Sequence, residues 1–296
     1  MQDFVEIPFL DRMLKRCLPS ILISTTLFLG HGCSDKAPQA SAPIAEPESI
    51  EAAIETVSDS IQYIKWTPEV NVPDPVSISM DNRGRAYVTQ TQRRKAQDLD
   101  IRNNTDWVPD DVGLTSVEEK REFFKTQLSP ENSAQNIERV LDHNGDGSHD
   151  WRDLTVLPEK IHIVEDSDGD GFADSSKVYF DDLKTEVTGI AAGVLWHEGD
   201  VYATVAPDVW KLRDTTGDDL PDQQEIIAHG FGIHIAYGGH DMHGLIMGPD
   251  GKLYWSIGDK GINVLSKEGK RFFYPNQGGV LRANPDGSDF EVFAHG

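Results

Sequence analysis

Short apolar runs that alternate with polar residues recur along most of this chain as a repeated unit. Three inner pairs of such runs are each built around a tyrosine, in GRAYVTQ at Tyr87, GDVYATV at Tyr202 and GKLYWSI at Tyr254. Apolar residues at every second position over a short run predict a strand with one buried face. Outer strand-like runs follow each pair and are interrupted by an aspartate-rich turn, in IHIVEDSDGDGFADSSKVYF, VWKLRDTTGDDLPDQQEII and VLRANPDGSDFEVF.

Units of four short strands that repeat at roughly 50 residues predict an all-β fold, a β-propeller. We expect residues 61–296 to form an incomplete propeller, with about three blades of a six-bladed ring. Because three blades do not close a ring, we expect this chain to be the front part of a longer protein. The interval from Tyr87 to Tyr202 is more than twice the next one, which predicts an insertion over about residues 91–158 in the first blade.

The insertion has helical signals. Thr115 or Ser116, followed by Glu118 or Glu119, makes a capping box before the charged run VEEKREFFKTQL. This pattern predicts a helix near residues 116–128, and a second helix is expected near 131–141.

The N-terminal residues 1–33 have the pattern of an export signal: basic residues, an apolar run and then small residues before Cys33. The pattern resembles a bacterial lipoprotein signal and predicts lipidation at Cys33; ordinary signal cleavage and an uncleaved anchor are the alternatives. Residues 34–60 are rich in Ala, Pro, Ser and Glu and predict a flexible linker. The protein is therefore expected in the periplasm or cell envelope, held to the membrane only through a lipid anchor.

The composition limits the classes of partner and of metal site that we expect. A formal net charge of −23 argues against nucleic acid as a partner and makes divalent cations natural counter-ions. The only two cysteines, Cys17 and Cys33, lie in the targeting segment, so the folded part has no thiol for a disulfide or a thiolate metal site. Bound calcium is one available source of stability for an exported protein of this kind.

The segment LDHNGDGSHDWRD has the spacing of a calcium loop, with Gly147 at the sharp turn. Hard oxygen ligands at alternating positions let a short loop wrap one ion, and the predicted ligands are Asp142, Asn144, Asp146, the carbonyl of Ser148, Asp150 and Asp153. An acidic turn exposed to solvent is the alternative.

A second loop, DSDGDGFAD, predicts another calcium site, with the ligands Asp166, Asp168, Asp170, the carbonyl of Phe172 and Asp174. The third turn, DTTGDDLPD, has Asp219 where glycine belongs. There we expect a tight turn whose Asp and Gly residues serve the backbone rather than a metal.

Histidines and carboxylates cluster in YGGHDMHGLIMGPDGKLYWSIGDKGINV. Imidazole accepts a hydroxyl proton near neutral pH, and a carboxylate beside it orients the ring and stabilises its cation. His240, Asp241 and His243 share a glycine-bounded loop, and Asp259 ends the next strand on the same expected face. We predict a catalytic role for His240 as base, with Asp241 and Asp259; alternatively, the histidines only hydrogen-bond loop carbonyls.

This run and the later VLRANPDGS resemble the soluble quinoprotein glucose and sorbosone dehydrogenases, which are six-bladed propellers, over about residues 65–296. The resemblance implies that a histidine removes a sugar hydroxyl proton over pyrroloquinoline quinone (PQQ). In that family the histidine stands three residues before the glycine, whereas Asp241 holds that place relative to Gly244. Val264 replaces a sugar-contacting glutamine, which weakens glucose as the expected substrate.

The spacing of the aspartate turns and the lipoprotein-like start are closer still to large propeller proteins of planctomycete-type bacteria, often called membrane-bound dehydrogenases. That resemblance implies a cytochrome c-type haem domain further on as electron acceptor, although this sequence contains no CxxCH motif. The implied cofactors are Ca²⁺, PQQ in the complete protein, and haem only where a CxxCH domain follows.

Two functions remain open at this point. The first is an exported, calcium-stabilised propeller fragment of a PQQ-dependent type of sugar or alcohol dehydrogenase, with a small sugar or alcohol as substrate. The second is a non-catalytic propeller scaffold that binds carbohydrate or protein.

Overall fold

A computed structural model describes residues 54–58, 61–96, 98–235 and 239–296. The predicted signal segment, Cys33 and most of the predicted linker lie outside these residues. The described end of the linker forms a hairpin of β1 (Ile54–Ser58) and β2 (Ile61–Ile64). Among the described residues, no helix is long and apolar enough to cross a membrane.

Three four-stranded antiparallel sheets follow in chain order. The first contains β3 (Pro75–Met80), β4 (Ala86–Gln90), β5 (Glu159–Glu165) and β6 (Ser175–Leu183). The second contains β7 (Ala191–His197), β8 (Asp200–Val205), β9 (Asp208–Arg213) and β10 (Gln223–His229). The third contains β11 (Met242–Met247), β12 (Leu253–Ile257), β15 (Gly279–Ala283) and β16 (Glu291–His295), while β13 (Ile262–Leu265) and β14 (Arg271–Tyr274) form a separate hairpin.

The sheets stand side by side with their first strands adjacent, as blades do around a propeller axis. Strand β3 packs against β7, and β7 packs against β11. Hydroxyl groups join the neighbours: the Ser79 Oγ accepts from the Trp196 N–H at 2.9 Å, and the Thr204 Oγ1 donates to the Met242 carbonyl at 3.1 Å. The predicted all-β, propeller-like fold is confirmed.

The repeated tyrosines show how one sheet covers the next. Tyr87 and Tyr202 are buried in the apolar layers between the first and second sheets and between the second and third. Tyr254, their counterpart in the third sheet, is only partly buried, and Ile246 and Phe293 of this sheet are exposed. The outer face of the third sheet is thus uncovered in the part of the chain that the structure describes.

The insertion between β4 and β5 is mainly helical, with its own apolar core around Trp107, Phe124 and Leu128. It contains α1 (Arg93–Ala96), α2 (Val108–Asp111), α3 (Val117–Gln127) and α4 (Ser133–Asn136). The described part of the insertion also contains four 3-10 segments, at Ile101–Asn103, Thr105–Trp107, Pro130–Asn132 and Trp151–Thr155.

The helix predicted near residues 116–128 is confirmed. Its N-cap is Ser116, whose side chain accepts from the Glu119 N–H at 3.1 Å, while Glu119 accepts from the Thr115 N–H at 2.7 Å. The second predicted helix was wrong in length, because only the single turn α4 forms. No side chain caps α4, and the amide of Asn136 donates to the Gln127 carbonyl at 3.1 Å, which ties this segment to the end of α3.

The insertion meets the connections between sheets at one end of the fold. The Gly189 N–H, before β7, donates to the Ala206 carbonyl of the β8–β9 turn at 2.7 Å. The Gly232 N–H, after β10, donates to the Gly261 carbonyl at 3.0 Å, and Lys120 of α3 donates to the Gly232 carbonyl. The candidate catalytic residues lie at this end.

Candidate functional site

The pairing of β11 with β12 brings His240 and Asp259 together. Met242 pairs with Ile257 in this antiparallel ladder, and His240 and Asp259 each lie two residues beyond that pair. The His240 Nδ1 lies 2.6 Å from the Asp259 Oδ1, and both side chains are about half exposed. Gly258 makes this approach possible, since a Cβ at that position would lie 2.9 Å from the His240 Cβ.

Asp241 points away from the imidazole and into the protein. Its Oδ1 lies 2.5 Å from the Lys260 Nζ, and the two residues are 1% and 3% exposed. The Asp241 Oδ2 is buried without a hydrogen-bond partner among the described residues. The carboxylate that contacts the predicted base is therefore that of Asp259, whereas Asp241 and Lys260 form an ion pair behind it.

A small cavity of about 40 Å³ lies against this ion pair, and the insertion forms part of its lining. Arg93, Asp98 and Lys120 line it from the insertion side. Burial lowers the pKa of Lys120 to about 7, and the positive charge of Lys260 acts in the same direction. Burial raises the pKa of Asp98 to about 6 and lowers that of Arg93 to about 10. Such shifts are typical of charged groups withdrawn from water.

A second, larger pocket of about 190 Å³ lies beside Asp259 and Lys260. The insertion contributes Val108 and Val112 to its lining, and Asn276 contributes from the loop after β14. This pocket adjoins the contact between His240 and Asp259 and is large enough for a small organic molecule.

The other histidines near the site bind backbone or neighbouring side chains. The His243 Nε2 lies 3.2 Å from the Gly239 carbonyl. His234 donates through Nδ1 to the Asp111 carbonyl at 2.8 Å, and His295 contacts the Gln277 side chain at 2.7 Å. These contacts have the character of structural hydrogen bonds.

The first acidic loop folds as a series of side chain–backbone turns. The Asp142 carboxylate accepts from the N–H groups of Gly145 and Gly147 at 2.7 and 3.0 Å. The Asn144 side chain accepts from the Asp146 N–H, and the Asp146 side chain from the Ser148 N–H, each at 2.8 Å. Side-chain oxygens thus recur at alternating positions in this half of the loop, each of them accepting from a backbone N–H.

The second half of that loop is bound within the protein. Asp150 forms a 2.6 Å ion pair with Arg152, which lowers the pKa of this carboxyl to about 2. Asp153 accepts from the N–H groups of His143 and Asp150, each at 2.9 Å. Both carboxylates are buried. An ion in this loop would compete with these hydrogen bonds for positions 9 and 12.

The second acidic loop is open toward a shared point. Asp166, Asp168 and Asp170 bring carboxylate oxygens within 4.8 Å of one another, the only such group among the described residues. Asp170 also accepts from the Phe172 N–H at 2.8 Å, and Asp174 accepts from the Ser167 N–H at 2.9 Å. Three convergent carboxylates repel one another unless a cation lies between them, and oxygen ligands of this kind suit Ca²⁺.

The third turn makes a contact between sheets. Asp219 adopts a φ of 66°, in the left-handed region that glycine favours and that Asp tolerates. Its carboxylate binds the Arg85 Nη1 at 2.6 Å and the Lys177 Nζ at 3.0 Å, and both cations belong to the first sheet. The structure therefore gives this turn a role in joining the first two sheets.

Sequence reasoning missed the charged residues Arg93, Asp98, Lys120 and Lys260, which line the cavity. Lys260 follows Asp259 directly, so its position next to a predicted catalytic residue was an available signal. Lys120 lies on α3, far away in sequence, and nothing in its local pattern distinguishes it from the other lysines of a charged helix.

A family model described as Domain of unknown function (DUF7133) matches residues 56–296. The match covers most of the chain, so the protein belongs to this family. A search of curated proteins found no match.

Proposed function

We propose that this member of the DUF7133 family is the propeller part of an exported oxidoreductase that acts on the hydroxyl group of a sugar or alcohol. The 2.6 Å contact between His240 and Asp259 carries the proposal. Imidazole is the side chain best suited to accept a hydroxyl proton near neutral pH, and an adjacent carboxylate orients the ring and stabilises the resulting cation. The resemblance to quinoprotein sugar dehydrogenases supports the same reaction class.

Within this proposal, His240 takes the hydroxyl proton and Asp259 holds the imidazolium. Asp241 follows His240 in the chain, and Lys260 follows Asp259. The ion pair of Asp241 and Lys260 therefore holds together the two loops that carry His240 and Asp259. Oxidation of the carbon also requires a two-electron acceptor, which these residues do not supply.

The described residues do not by themselves fit PQQ. The cavity lined by Arg93, Lys120 and Lys260 has a volume of about 40 Å³, too small for a tricyclic quinone, and Lys260 is already paired with Asp241. The proposal therefore assigns to this chain the proton-accepting groups only, and places the quinone-clamping groups in further blades of a closed ring. The uncovered face of the third sheet supports such further blades.

We also propose that the second acidic loop binds Ca²⁺. The convergence of Asp166, Asp168 and Asp170 supports this, since hard carboxylate oxygens are the preferred ligands of that ion. The first loop is a weaker candidate because Asp150 and Asp153 have partners within the protein. Export and lipidation at Cys33 remain part of the proposal on the strength of the N-terminal pattern.

One observation favours the second candidate function, a non-catalytic scaffold. The insertion covers the end of the sheets at which His240 lies, and Lys120 fastens it there through the Gly232 carbonyl. The cavity at this end has only about 40 Å³, which leaves no space for a quinone and suits a protein that binds its ligand without a cofactor.

Dye-linked oxidation separates the two functions. The protein as encoded by its gene is reconstituted with PQQ and Ca²⁺ and assayed on sugars and alcohols. His240→Ala should lower turnover about 10²-fold or more, the usual effect of losing a positioned general base. His243→Ala is the matched control and should change little. Absence of quinone binding by the intact protein would leave the scaffold as the function.

A further inference from the structure

The pocket beside Asp259 has two chemically different walls. The insertion supplies most of the aliphatic lining, with Val108 and Val112 40% and 64% exposed and Ile101 buried. Asp111 lies between the two valines and also lines the pocket, but it is buried and accepts from the Ile235 N–H. An apolar surface of this kind next to a polar catalytic pair is a feature of small-molecule sites, in which apolar groups supply contact area and a few polar groups fix orientation.

The same pocket also offers hydrogen-bonding groups. Asp259 uses its Oδ1 for His240, and its Oδ2 makes no hydrogen bond to the residues that the structure describes. One amide atom of Asn276 contacts the His234 Nε2 at 2.9 Å, and the other amide atom makes no hydrogen bond within the same residues. A carboxylate oxygen accepts from a hydroxyl group, and the free oxygen or nitrogen of an amide accepts from or donates to one.

A position beside both walls suits a ligand that is polar on one side only. A free sugar satisfies Asp259 and Asn276 but leaves Val108 and Val112 in contact with water. A hydroxyl-bearing ring with an alkyl or aryl substituent satisfies both walls. The volume of about 190 Å³ is in keeping with a small substituted ring rather than an oligosaccharide.

We propose that this pocket binds glycosides or polyols that carry an apolar substituent, with the hydroxyl groups on Asp259 and Asn276 and the substituent against Val108 and Val112. This inference rests on the proposed function, since it takes His240 and Asp259 as the groups that face the substrate hydroxyl. It makes the insertion the part of the chain that selects the substrate.

Calorimetric binding without any quinone tests the inference. The probes are the phenyl and methyl β-glycosides of glucose, galactose and xylose, in matched pairs. We expect at least one phenyl glycoside to bind about tenfold or more tightly than its methyl partner, the discrimination that an apolar contact of this size supplies. Val112→Asn should abolish the preference, and Asn276→Ala should weaken both members of the pair. Leu220→Asn, at an aliphatic residue 54% exposed in the third aspartate turn, is the matched control and should keep the preference.

The outcomes are distinguishable from those of the oxidation assay. Equal affinities for every pair, no binding of any glycoside at millimolar concentration, or a preference that survives in a folded Val112→Asn protein would each overturn the inference. A retained preference without dye reduction would contradict the dehydrogenase but not the pocket assignment. Thermal melting of each variant verifies that it is folded.

Discussion

The buried ion pair of Asp241 and Lys260 allows a sharp test of the site, through the substitution Lys260→Met. Methionine has nearly the length of the lysine stem and no charge, so packing is largely kept. The change leaves Asp241 buried, with its Oδ1 deprived of the 2.5 Å contact and its Oδ2 already without a partner among the described residues. A buried carboxylate in that state has no compensation for its lost hydration.

The expected loss of unfolding free energy in Lys260→Met follows from this geometry. Breaking a buried ion pair by removing one partner typically costs about 3–5 kcal/mol of unfolding free energy. We expect the lower end, about 3 kcal/mol, because Lys120 lines the same cavity and partly compensates the charge. For a domain of this size, that corresponds to a fall of about 6–12 °C in melting temperature.

Two controls separate the ion pair from packing and from exposed charge. The double variant Asp241→Asn with Lys260→Met removes both charges and should recover most of the loss. Lys252→Met removes the ion pair with Asp289, whose carboxylate is exposed, and should lower the stability much less than Lys260→Met. Urea and thermal denaturation measure the unfolding free energy and the melting temperature of all three variants. A single variant within about 1 kcal/mol of the wild type, or a double variant as unstable as the single one, would refute the reasoning.

The remaining predictions concern pH, calcium and processing. The folded protein holds the pKa of Lys120 at about 7, whereas the ordinary value is 10.5. The unfolded chain therefore binds more protons between these two pH values, and the free energy of unfolding should rise with pH in this range. Lys120→Met should flatten that rise in urea titrations. Asp98, with its raised pKa of about 6, should make stability fall as pH rises from 3.8 to about 6. EDTA should lower the melting temperature of the wild type. Asp168→Asn should remove most of this sensitivity to EDTA, and the control Asp218→Asn should keep it. Identical melting temperatures with and without EDTA would contradict the calcium proposal. Palmitate labelling should disappear in Cys33→Ser, and an unlabelled wild type would point to ordinary signal cleavage.

The strands were predictable because their signal is local. Alternation around Tyr87, Tyr202 and Tyr254 specifies one buried face in each run, and adjacent antiparallel strands need only short turns to pair. The same locality made the contact of Asp259 with His240 accessible from sequence, since both residues flank one hairpin-like pair of strands.

The rest of the site depended on distant parts of the chain. Asp241 was expected to take part beside His240, but sequence adjacency does not tell which way a side chain points, and Lys260 draws it inward. Lys120 reaches the same cavity from α3, more than a hundred residues earlier. Packing of the insertion on the sheets decides both features, and no local pattern encodes that packing.

The Asp219 turn has a consequence for how the protein senses its ionic surroundings. The second aspartate turn leaves its carboxylates open to an external ion, whereas the third carries an aspartate that Arg85 and Lys177 neutralise from the neighbouring sheet. The two turns should therefore respond to different solutes. Chelators should loosen the second turn, whereas added monovalent salt should weaken mainly the contact of Asp219 with Lys177, whose side chain is 52% exposed, because the Arg85–Asp219 pair is largely buried. The junction between the first two sheets should keep its strength when calcium is scarce and lose only part of it when salt is added.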